Sequence, residues 1–111
     1  MAGSFVIEKG STGKYRFNLR AGNNEIILTS EAYEAKAGAE NGIESVRKNS
    51  QDDARFLRKN AKSDSPYFVL TAANGQVIGT SEMYTSTAAR ENGIKSVATN
   101  APGAKVVDKS V

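Results

Sequence analysis

The sequence predicts an α+β fold in which one unit occurs twice, with three strands, a helix and a further strand in each copy. The segment TSEAY at 29–33 recurs as TSEMY at 80–84. Further along, ENGIESV at 40–46 recurs as ENGIKSV at 91–97. The offset is constant, because 80 − 29 and 91 − 40 both equal 51. Two separate motifs at one offset, without insertion or deletion, indicate a duplicated unit.

Each unit is too small to be a separate domain. The chain has 111 residues, and a unit of about 50 residues buries too little surface to be stable alone. We therefore predict that residues 1–55 and 56–111 are two repeats fused into one domain. The offset also relates Phe5 to Phe56 and Phe56 to Val107. A partial third copy of the first strand thus closes the chain, and the strand at Phe56 is expected to serve both units.

Strands are predicted from alternation and from turn residues. Between residues 14 and 21 apolar and polar side chains alternate with the period of a half-buried strand. The GSTG cluster at 10–13 and Asn74-Gly75 read as turns, and Asn-Gly between apolar runs is a strong hairpin signal. The predicted strands are residues 5–9, 14–21 and 25–28, then 55–59 and 76–78, with 105–108 closing the chain.

A helix is predicted after the return strand of each copy, with two alternatives for its start. The Thr-Ser-Glu of the repeated motif suits a helix entry, because its hydroxyls can cap and its acid suits the helix dipole. The start can also be delayed to Tyr33 or Ala35, with Thr85 or Ser86 as the cap in the second copy. Asn49 and Asn100 are expected to end the helices in a left-handed conformation.

One face of each helix is predicted to be buried. Gly42 and Gly93 fall inside the helices, where glycine costs about 0.5–1 kcal/mol relative to alanine, which suggests a close approach of helix to sheet. Arg90 fits the buried face only if its aliphatic stem covers apolar surface. The predicted helix faces are Ala35, Ala39, Gly42, Ile43 and Val46, and Ser86, Arg90, Gly93, Ile94 and Val97. The predicted core consists of Phe17, Leu19, Ile27, Ile43 and Val46 with their partners Phe68, Leu70, Ile78, Ile94 and Val97.

Composition excludes several kinds of active site. The chain has no cysteine and no histidine, which removes disulfides, thiolate zinc sites, cysteine nucleophiles and the usual general base. We predict no cofactor and no metal site. The longest apolar runs, such as residues 67–70, are too short to span a membrane, and no leader peptide is recognisable, so a cytoplasmic protein without membrane contact is expected.

The paired motifs also carry a family resemblance. The Thr-Ser-Glu-x-Tyr and Asn-Gly-Ile-x-Ser-Val signatures, each after an Asn-containing hairpin, resemble those of the YegP-like family of small bacterial tandem-repeat proteins. The resemblance implies β-β-β-α-β units that form one largely antiparallel sheet, with two helices on one face and C-terminal strands exchanged across a pseudo-twofold axis. It also implies a monomer that is a covalent pseudo-dimer. The chain departs from its own pattern at Pro66, which stands in the place of Tyr15 and suggests a strand start or an edge.

Four residues of the repeated TSExY motif are the first candidates for a site. Glu31 with Tyr33, and Glu82 with Tyr84, could bind a small ligand or transfer a proton. The structural alternative is that each tyrosine packs on the sheet and each glutamate serves the helix start. We favour the structural alternative, because acidic residues commonly stand at the start of a helix.

Two asparagines and one tyrosine complete the candidate residues. Asn41 and Asn92 precede the helix glycines and could contact a ligand, although exposed helix residues are usually solvated. Tyr67 could stack on a base of single-stranded nucleic acid. The cations that would accompany it on the sheet are Lys9, Lys14, Arg16 and Arg20.

The sequence does not identify a function, and it favours binding over catalysis. The first interpretation is a non-enzymatic cytosolic module that binds or interacts with an unknown partner. The second is weak binding of single-stranded nucleic acid by a basic and aromatic sheet face, in line with a net charge of +3 and a pI near 9.3. The third is a small-ligand binder or enzyme that uses Tyr33 with Glu31 and Tyr84 with Glu82.

Overall fold

A computed structural model of the chain describes residues 3–110 as one sheet of seven strands with two helices on one face. Neighbouring strands follow the order β4-β5-β6-β3-β2-β1-β7, and only β1 and β7 are parallel. The elements are β1 (Ser4–Lys9), β2 (Tyr15–Arg20), β3 (Ile26–Ser30), α1 (Lys36–Asn49), β4 (Phe56–Asn60), β5 (Pro66–Thr71), β6 (Val77–Thr80), α2 (Thr87–Asn100) and β7 (Lys105–Asp108), with a 3₁₀ turn at Asp53–Arg55.

A pseudo-twofold axis passes between the two copies of the unit. The central strands β3 and β6 pair antiparallel, with Thr29 opposite Thr80, and these positions are related by the offset of 51. The second copy sends its last strand, β7, across the molecule to lie beside β1 of the first copy. The α+β class, the single sheet and the exchanged last strand are therefore confirmed.

The predicted core is confirmed in full. All ten of its sheet and helix residues are buried, and the structure adds four large side chains that the prediction missed. Phe5 meets Phe17 edge to face with ring centres 5.8 Å apart, and Phe56 meets Phe68 in the same way at 5.6 Å. The added large core residues are Phe5, Ile7, Leu28 and Phe56.

The helices begin late, as the second alternative predicted. Ala35 precedes α1 and Ser86 precedes α2, where the Ser86 hydroxyl accepts a hydrogen bond from the Ala89 amide at 3.1 Å. Capping of this kind satisfies one of the free amides of a first turn. Ala35 and Ser86 are consequently exposed caps and not members of the buried faces. Arg90 is half-buried, and its guanidinium contacts Glu91 at 3.2 Å.

The prediction of left-handed helix ends at Asn49 and Asn100 is wrong. Both asparagines are the last residues of their helices, and the next residue in each case keeps right-handed helical angles. Their buried side chains turn back along the helix, where the amide of Asn49 donates to the Ser45 carbonyl at 2.9 Å and that of Asn100 to the Ser96 carbonyl at 2.8 Å. The side chain therefore satisfies a helical carbonyl without any change of backbone conformation.

The hairpin turns of the two copies share one geometry. In the first copy the Asn24 amide donates to the Ala21 carbonyl, and the Ala21 amide donates to the Glu25 carbonyl. In each turn the residue two positions before the return strand has a positive φ, which glycine and asparagine tolerate best. These left-handed residues are Gly13, Asn24, Asp64 and Gly75, with φ of 84°, 71°, 64° and 84°.

The two copies are not identical where they meet. Leu28 of β3 is related by the offset to Gly79 of β6. A Cβ atom on Gly79 would lie 2.7 Å from Cγ of Leu28, closer than any ordinary contact. One large side chain therefore fills the space on both sides of the pseudo-twofold axis, and the glycine leaves room for it.

Candidate interaction site

Tyr33 and Tyr84 lie under the helix glycines. The Tyr33 ring stacks on Phe17 with centres 6.2 Å apart, and Tyr84 stacks on Phe68 at the same distance. A Cβ on Gly42 would lie 2.5 Å from the Tyr33 hydroxyl, and one on Gly93 would overlap the hydroxyl of Tyr84. The repeated tyrosine and the repeated glycine thus form one packing unit in each copy.

The serine of the repeated motif bonds to the sheet backbone next to this packing unit. The Ser30 hydroxyl accepts a hydrogen bond from the Phe17 amide at 2.9 Å and donates one to the Glu31 carbonyl at 2.8 Å. Ser81 makes the equivalent bonds in the second copy. Both serines are buried, and their retention in both copies is the signal that could have shown this role from the sequence.

The predicted pair of Glu31 and Tyr33 is brought together in one cleft. Both residues line a space of about 370 Å³ with Gln76, Val77 and Ile78 of the other copy. Burial raises the pKa of Tyr33, and the nearby Glu31 adds to the rise. The phenol therefore stays protonated at neutral pH, where it can donate a hydrogen bond but cannot act as a base.

The second predicted pair, Glu82 and Tyr84, shows the same direction of shift in the tyrosine pKa. Burial raises the pKa of Tyr84, with further contributions from Glu25 and Glu82.

The two predicted asparagines lie elsewhere on the surface. Asn41 is exposed on α1 at a shallow cleft near the β5–β6 turn, and Asn92 is exposed on α2. Neither asparagine lines the cleft of Glu31 and Tyr33.

No helix within residues 3–110 covers the sheet face opposite the helices, which is called the open face, although Val6 and Val69 on it are nearly buried. Paired residues on neighbouring strands lie on the same face of a sheet. A row of small and apolar residues crosses the middle of this open face. The row consists of Leu57, Val69, Thr80, Thr29, Asn18, Val6 and Val107.

The predicted basic face exists only in part. Arg16 and Arg20 lie on the open face, two residues to either side of Asn18, while Glu8 lies opposite Arg16. Lys14 instead pairs with Glu34 at 3.3 Å in a turn, and Lys9 lies over the Tyr15 ring. On the open face of the second copy the sequence-predicted Tyr67 lies opposite a further cation, Lys59.

The outer side of β1 is covered by β7. Their backbones are joined in a parallel ladder, and the amide of Lys109 donates to the Ile7 carbonyl at 2.8 Å. Two side chains of α1 hold the strand in place. Lys36 contacts Asp108 at 2.7 Å, and Arg47 donates to the Ala104 carbonyl at 2.6 Å. On the opposite face, Val107 of this strand lies beside Val6, which is 3% exposed.

The outer side of β4 has no such cover within residues 3–110. The Phe68 amide points away from β4, because it donates to Ser81 on the other side at 3.0 Å. Arg58, which lies opposite Phe68, therefore belongs to a non-hydrogen-bonded pair, and its own N–H and C=O point outward. Leu57, which is equivalent to Val6, is 44% exposed. The same edge is thus covered in one copy and open in the other.

The side chain of Arg58 flanks this open edge on the helix face. Its guanidinium donates to Glu91 and Asp53, each at 2.9 Å from Nη2. Hydrogen bonding to Arg58 lowers the pKa of both carboxyls. Arg90 also contacts Glu91, so the cluster holds two cations and two anions.

Two further classes of site are absent from the described part of the chain. Residues 3–110 contain no group of three or more acidic side chains that could hold a metal ion. No helix in the same range is both long and apolar enough to cross a membrane. The candidate surfaces are therefore the tyrosine clefts, the open sheet face and the outer edge of β4.

Comparison with known proteins identifies the family. A family model described as a domain of unknown function, DUF1508, matches residues 11–56 and again residues 61–108. The chain belongs to this family. A UPF0339 protein of Bordetella pertussis is 60% identical over 110 residues, which cover 99% of this chain and 98% of the relative. The two family matches confirm the tandem repeat.

Two solved structures share the family fold. A UPF0339 protein of Shewanella oneidensis superposes with a TM-score of 0.93 at 54% identity, covering 99% of this chain and 93% of that one. The protein of unknown function YegP from E. coli superposes with a TM-score of 0.94 at 48% identity, covering 99% and 95%. The resemblance to the YegP-like family is confirmed. None of these names states an activity, so a proposal must come from the geometry.

Proposed function

We propose that the chain is a non-enzymatic interaction module that binds an extended segment of a partner protein along the outer edge of β4. One observation carries the proposal: β7 pairs with the edge of β1, and no strand within residues 3–110 pairs with the equivalent edge of β4. An exposed strand edge binds extended peptides by main-chain hydrogen bonds. In this proposal the repeats, 1–55 and 56–111, act together as one monomeric pseudo-dimer in the cytoplasm.

The open edge is a consequence of fusing the two copies. In the second copy the strand after the helix, β7, lies beside the first strand of the other copy. In the first copy the strand after the helix is β4, which is also the first strand of the second copy. One segment cannot lie beside itself, so the fusion leaves one strand position unfilled.

The charges on β4 argue for a different protein as the partner and against a second copy of this chain. Arg58 and Lys59 are neighbours at the middle of the strand. Pairing of two such edges would bring like charges together, and charged residues on edge strands are a common protection against self-association. A partner strand without this pair of cations meets no such repulsion.

A second candidate function rests on the open sheet face. Arg16, Arg20, Lys59 and Lys105 lie on that face with Tyr67, opposed by Glu8. Cations that follow a backbone beside an aromatic side chain are typical of surfaces that bind single-stranded nucleic acid. This binding would weaken steeply with salt, whereas main-chain pairing at β4 would not.

Affinity capture from a bacterial lysate with matched variants tests both functions. Arg58→Pro removes the guanidinium and the outward N–H of an edge residue, which an edge strand tolerates. Arg58→Gln removes the guanidinium and keeps the N–H, so the two variants differ in the main-chain donor. We expect a protein that wild type and Arg58→Gln retain at moderate salt and that Arg58→Pro loses. Equal capture by the proline variant, or an empty capture, would contradict the proposal.

The same capture separates the nucleic-acid function. The variant Arg16→Gln with Arg20→Gln removes two cations from the open face and leaves β4 unchanged. Nucleic acid that is retained at low salt, removed by nuclease and lost in this variant would support the second candidate. Folding of each variant is checked by its amide NMR spectrum.

A further inference from the structure

The pseudo-twofold axis indicates what the bound segment looks like. We infer that the segment runs parallel to β4 and places two β-branched apolar residues beside Phe56 and Leu57, followed by an uncharged polar residue beside Arg58. The inference rests on the proposed function and adds the direction, register and side-chain chemistry of the partner. Each of these follows from comparing the open edge with the covered one.

Direction and register come from β7. It runs parallel to β1 with Val106 beside Phe5, Val107 beside Val6 and Asp108 beside Ile7. The offset of 51 converts the three positions of β1 into Phe56, Leu57 and Arg58. The N–H and C=O of Arg58 point outward from β4, just as the carbonyl of Ile7 points outward from β1 toward β7. A strand in the same register therefore finds the same main-chain partners at Arg58. At Phe56 it finds only the carbonyl, which the Arg58 guanidinium contacts at 3.5 Å, because the Phe56 amide already donates to the Asp53 carbonyl.

The first two residues of the segment must be apolar. Val107 shields Val6, which is 3% exposed, while the equivalent Leu57 is 44% exposed. An apolar residue beside Leu57 would remove that surface from water, which is favourable. The residue before it would lie beside Phe56 on the helix face, as Val106, which is 45% exposed, lies beside Phe5 and lines a cleft with Ile43. β-branched side chains suit both positions, because they pack well on a pleated surface.

The third residue must differ from that of β7. Asp108 is held by Lys36, but the equivalent of Lys36 in α2 is Thr87. Its neighbour would be Arg58, whose guanidinium already binds Asp53 and Glu91. With Arg90 in the same cluster, the charges balance. An added acid would face two carboxylates and an added base would face two guanidinium groups, so a hydroxyl or amide side chain fits best.

Three capped peptides test the inference on the full chain. The first has the sequence of residues 104–110 with Asp108→Thr, the second has the unaltered sequence, and the third has Val107→Lys together with Asp108→Thr. Titration by NMR at millimolar peptide reports binding and the exchange rate of each amide proton. We expect the threonine peptide to bind at least about tenfold more tightly than either of the others.

Amide exchange locates the bound strand. The Arg58 amide points outward, so we expect its exchange to slow on binding, while the Leu57 amide, directed to β5, is unaffected. A spin label at the peptide N-terminus should broaden signals near Phe56 and not near Asn60, because the strands are parallel. The variant Arg58→Pro should abolish binding, and Arg58→Gln should retain it.

The outcomes distinguish the inference from the proposed function. Broadening near Asn60, or preference for the aspartate or lysine peptide, overturns the inference and leaves strand addition at β4 intact. Absence of binding by all three peptides also overturns the inference, and the capture with Arg58→Pro then decides the proposed function separately. If the edge of β4 serves only to prevent self-association, no peptide will slow the exchange of the Arg58 amide, and no protein will be captured from the lysate.

Discussion

At the scale of single residues, the repeated tyrosine takes the space that a helix side chain would occupy. Tyr33 and Tyr84 stack on the core phenylalanines and press against the backbone of Gly42 and Gly93. Glycine is a poor helix former, so its presence at both positions is explained by this contact and not by propensity. The motif therefore joins each helix to the sheet.

Substitution of the helix glycine should destabilise the protein although alanine is the better helix former. For Gly93→Ala we expect a loss of about 1–3 kcal/mol, because a Cβ would overlap the Tyr84 ring and hydroxyl. Tyr84→Phe removes the nearest atom and should recover part of the loss. A double-mutant cycle by denaturant unfolding measures the coupling. Asn92→Ala, on the exposed side of the same turn, serves as the control and should change little.

The left-handed turn residues allow a second test at this scale. Gly75→Ala should cost about 1–2 kcal/mol, since alanine is strained at the φ of 84° found there. Gly75→Asn should cost less, because its equivalent in the first copy, Asn24, already has a φ of 71°. Unfolding in guanidinium chloride compares the two. A Cβ on Gly75 would meet no atom within 4 Å, so a loss for asparagine as large as that for alanine would contradict the role of backbone conformation.

Sequence reasoning at the residue scale succeeded for apolar periodicity and failed for polar roles. The alternation of Phe17 and Leu19 was enough to predict burial, because a half-buried strand requires it. The buried Ser30 was missed, since its hydroxyl bonds the Phe17 amide from a distant part of the chain. Asn49 was misread, because its side chain, and not its backbone, satisfies the helix end.

At the scale of elements, β7 depends on α1 for its position. Lys36 of the helix contacts Asp108 of the strand at 2.7 Å, and this hydrogen bond, with help from Ser110, lowers the pKa of Asp108 to about 2. A carboxyl with a lowered pKa stabilises the folded state above its unfolded pKa. That stabilisation is lost as the pH falls through the folded pKa.

Acid should therefore erase the contribution of this ion pair. We expect Asp108→Asn to be less stable than wild type at pH 7, and the difference to shrink between about pH 4 and pH 2. Thermal unfolding of both proteins across this range measures it. Asp53 and Glu91 also have lowered pKa values, but both proteins share them. A difference that stays constant down to pH 2 would contradict the role of Asp108.

Element boundaries were predictable where local chemistry decides them. The strand at Lys105–Asp108 was predicted with its observed bounds, because it repeats the apolar pattern of the first strand. The helix start was left open between two positions, since the Thr-Ser-Glu segment is a plausible cap by itself. Tertiary contacts decided the matter: Tyr33 pairs with Tyr15 in an isolated bridge, with both backbone bonds at 2.7 Å, and keeps this segment extended.

At the scale of the whole molecule, each copy completes the other. The last strand of the second copy covers Phe5 and Ile7 of the first. Deletion of residues 105–111 should therefore destabilise the first copy as well as the second. Hydrogen exchange checks this, with faster exchange expected at Ile7 and its neighbours in the truncated chain. Unchanged amide protection at these residues would show that the exchanged strand does not stabilise the first copy.

The overall architecture was predictable because the duplication is visible in the sequence. The open edge of β4 was not predicted, although the offset already showed that the strand at Phe56 belongs to both units. A repeat pattern shows which segments are equivalent but not which of two equivalent positions a shared segment occupies. That choice depends on the path of the chain after α1, which the sequence motif does not specify.

The contact at the pseudo-twofold axis can be tested by exchange of side chains. Gly79→Leu alone should cost about 1–3 kcal/mol, because its Cβ would lie 2.7 Å from Leu28. Adding Leu28→Gly transfers the large side chain to the other strand and should recover most of the loss. Denaturant unfolding of the single and double variants measures this. Additive losses would show that the two positions do not share one space.

The unequal pair of Leu28 and Gly79 also determines how the halves recognise each other. In a symmetric association of identical units, a residue next to the axis lies close to its own copy, and two leucines would collide whereas two glycines would leave a void. Leu28 of the first half fits beside Gly79 of the second half, so only the pairing of two different halves avoids both the collision and the void. Separated halves of this chain would therefore select each other and reject themselves, as the two chains of an obligate heterodimer do.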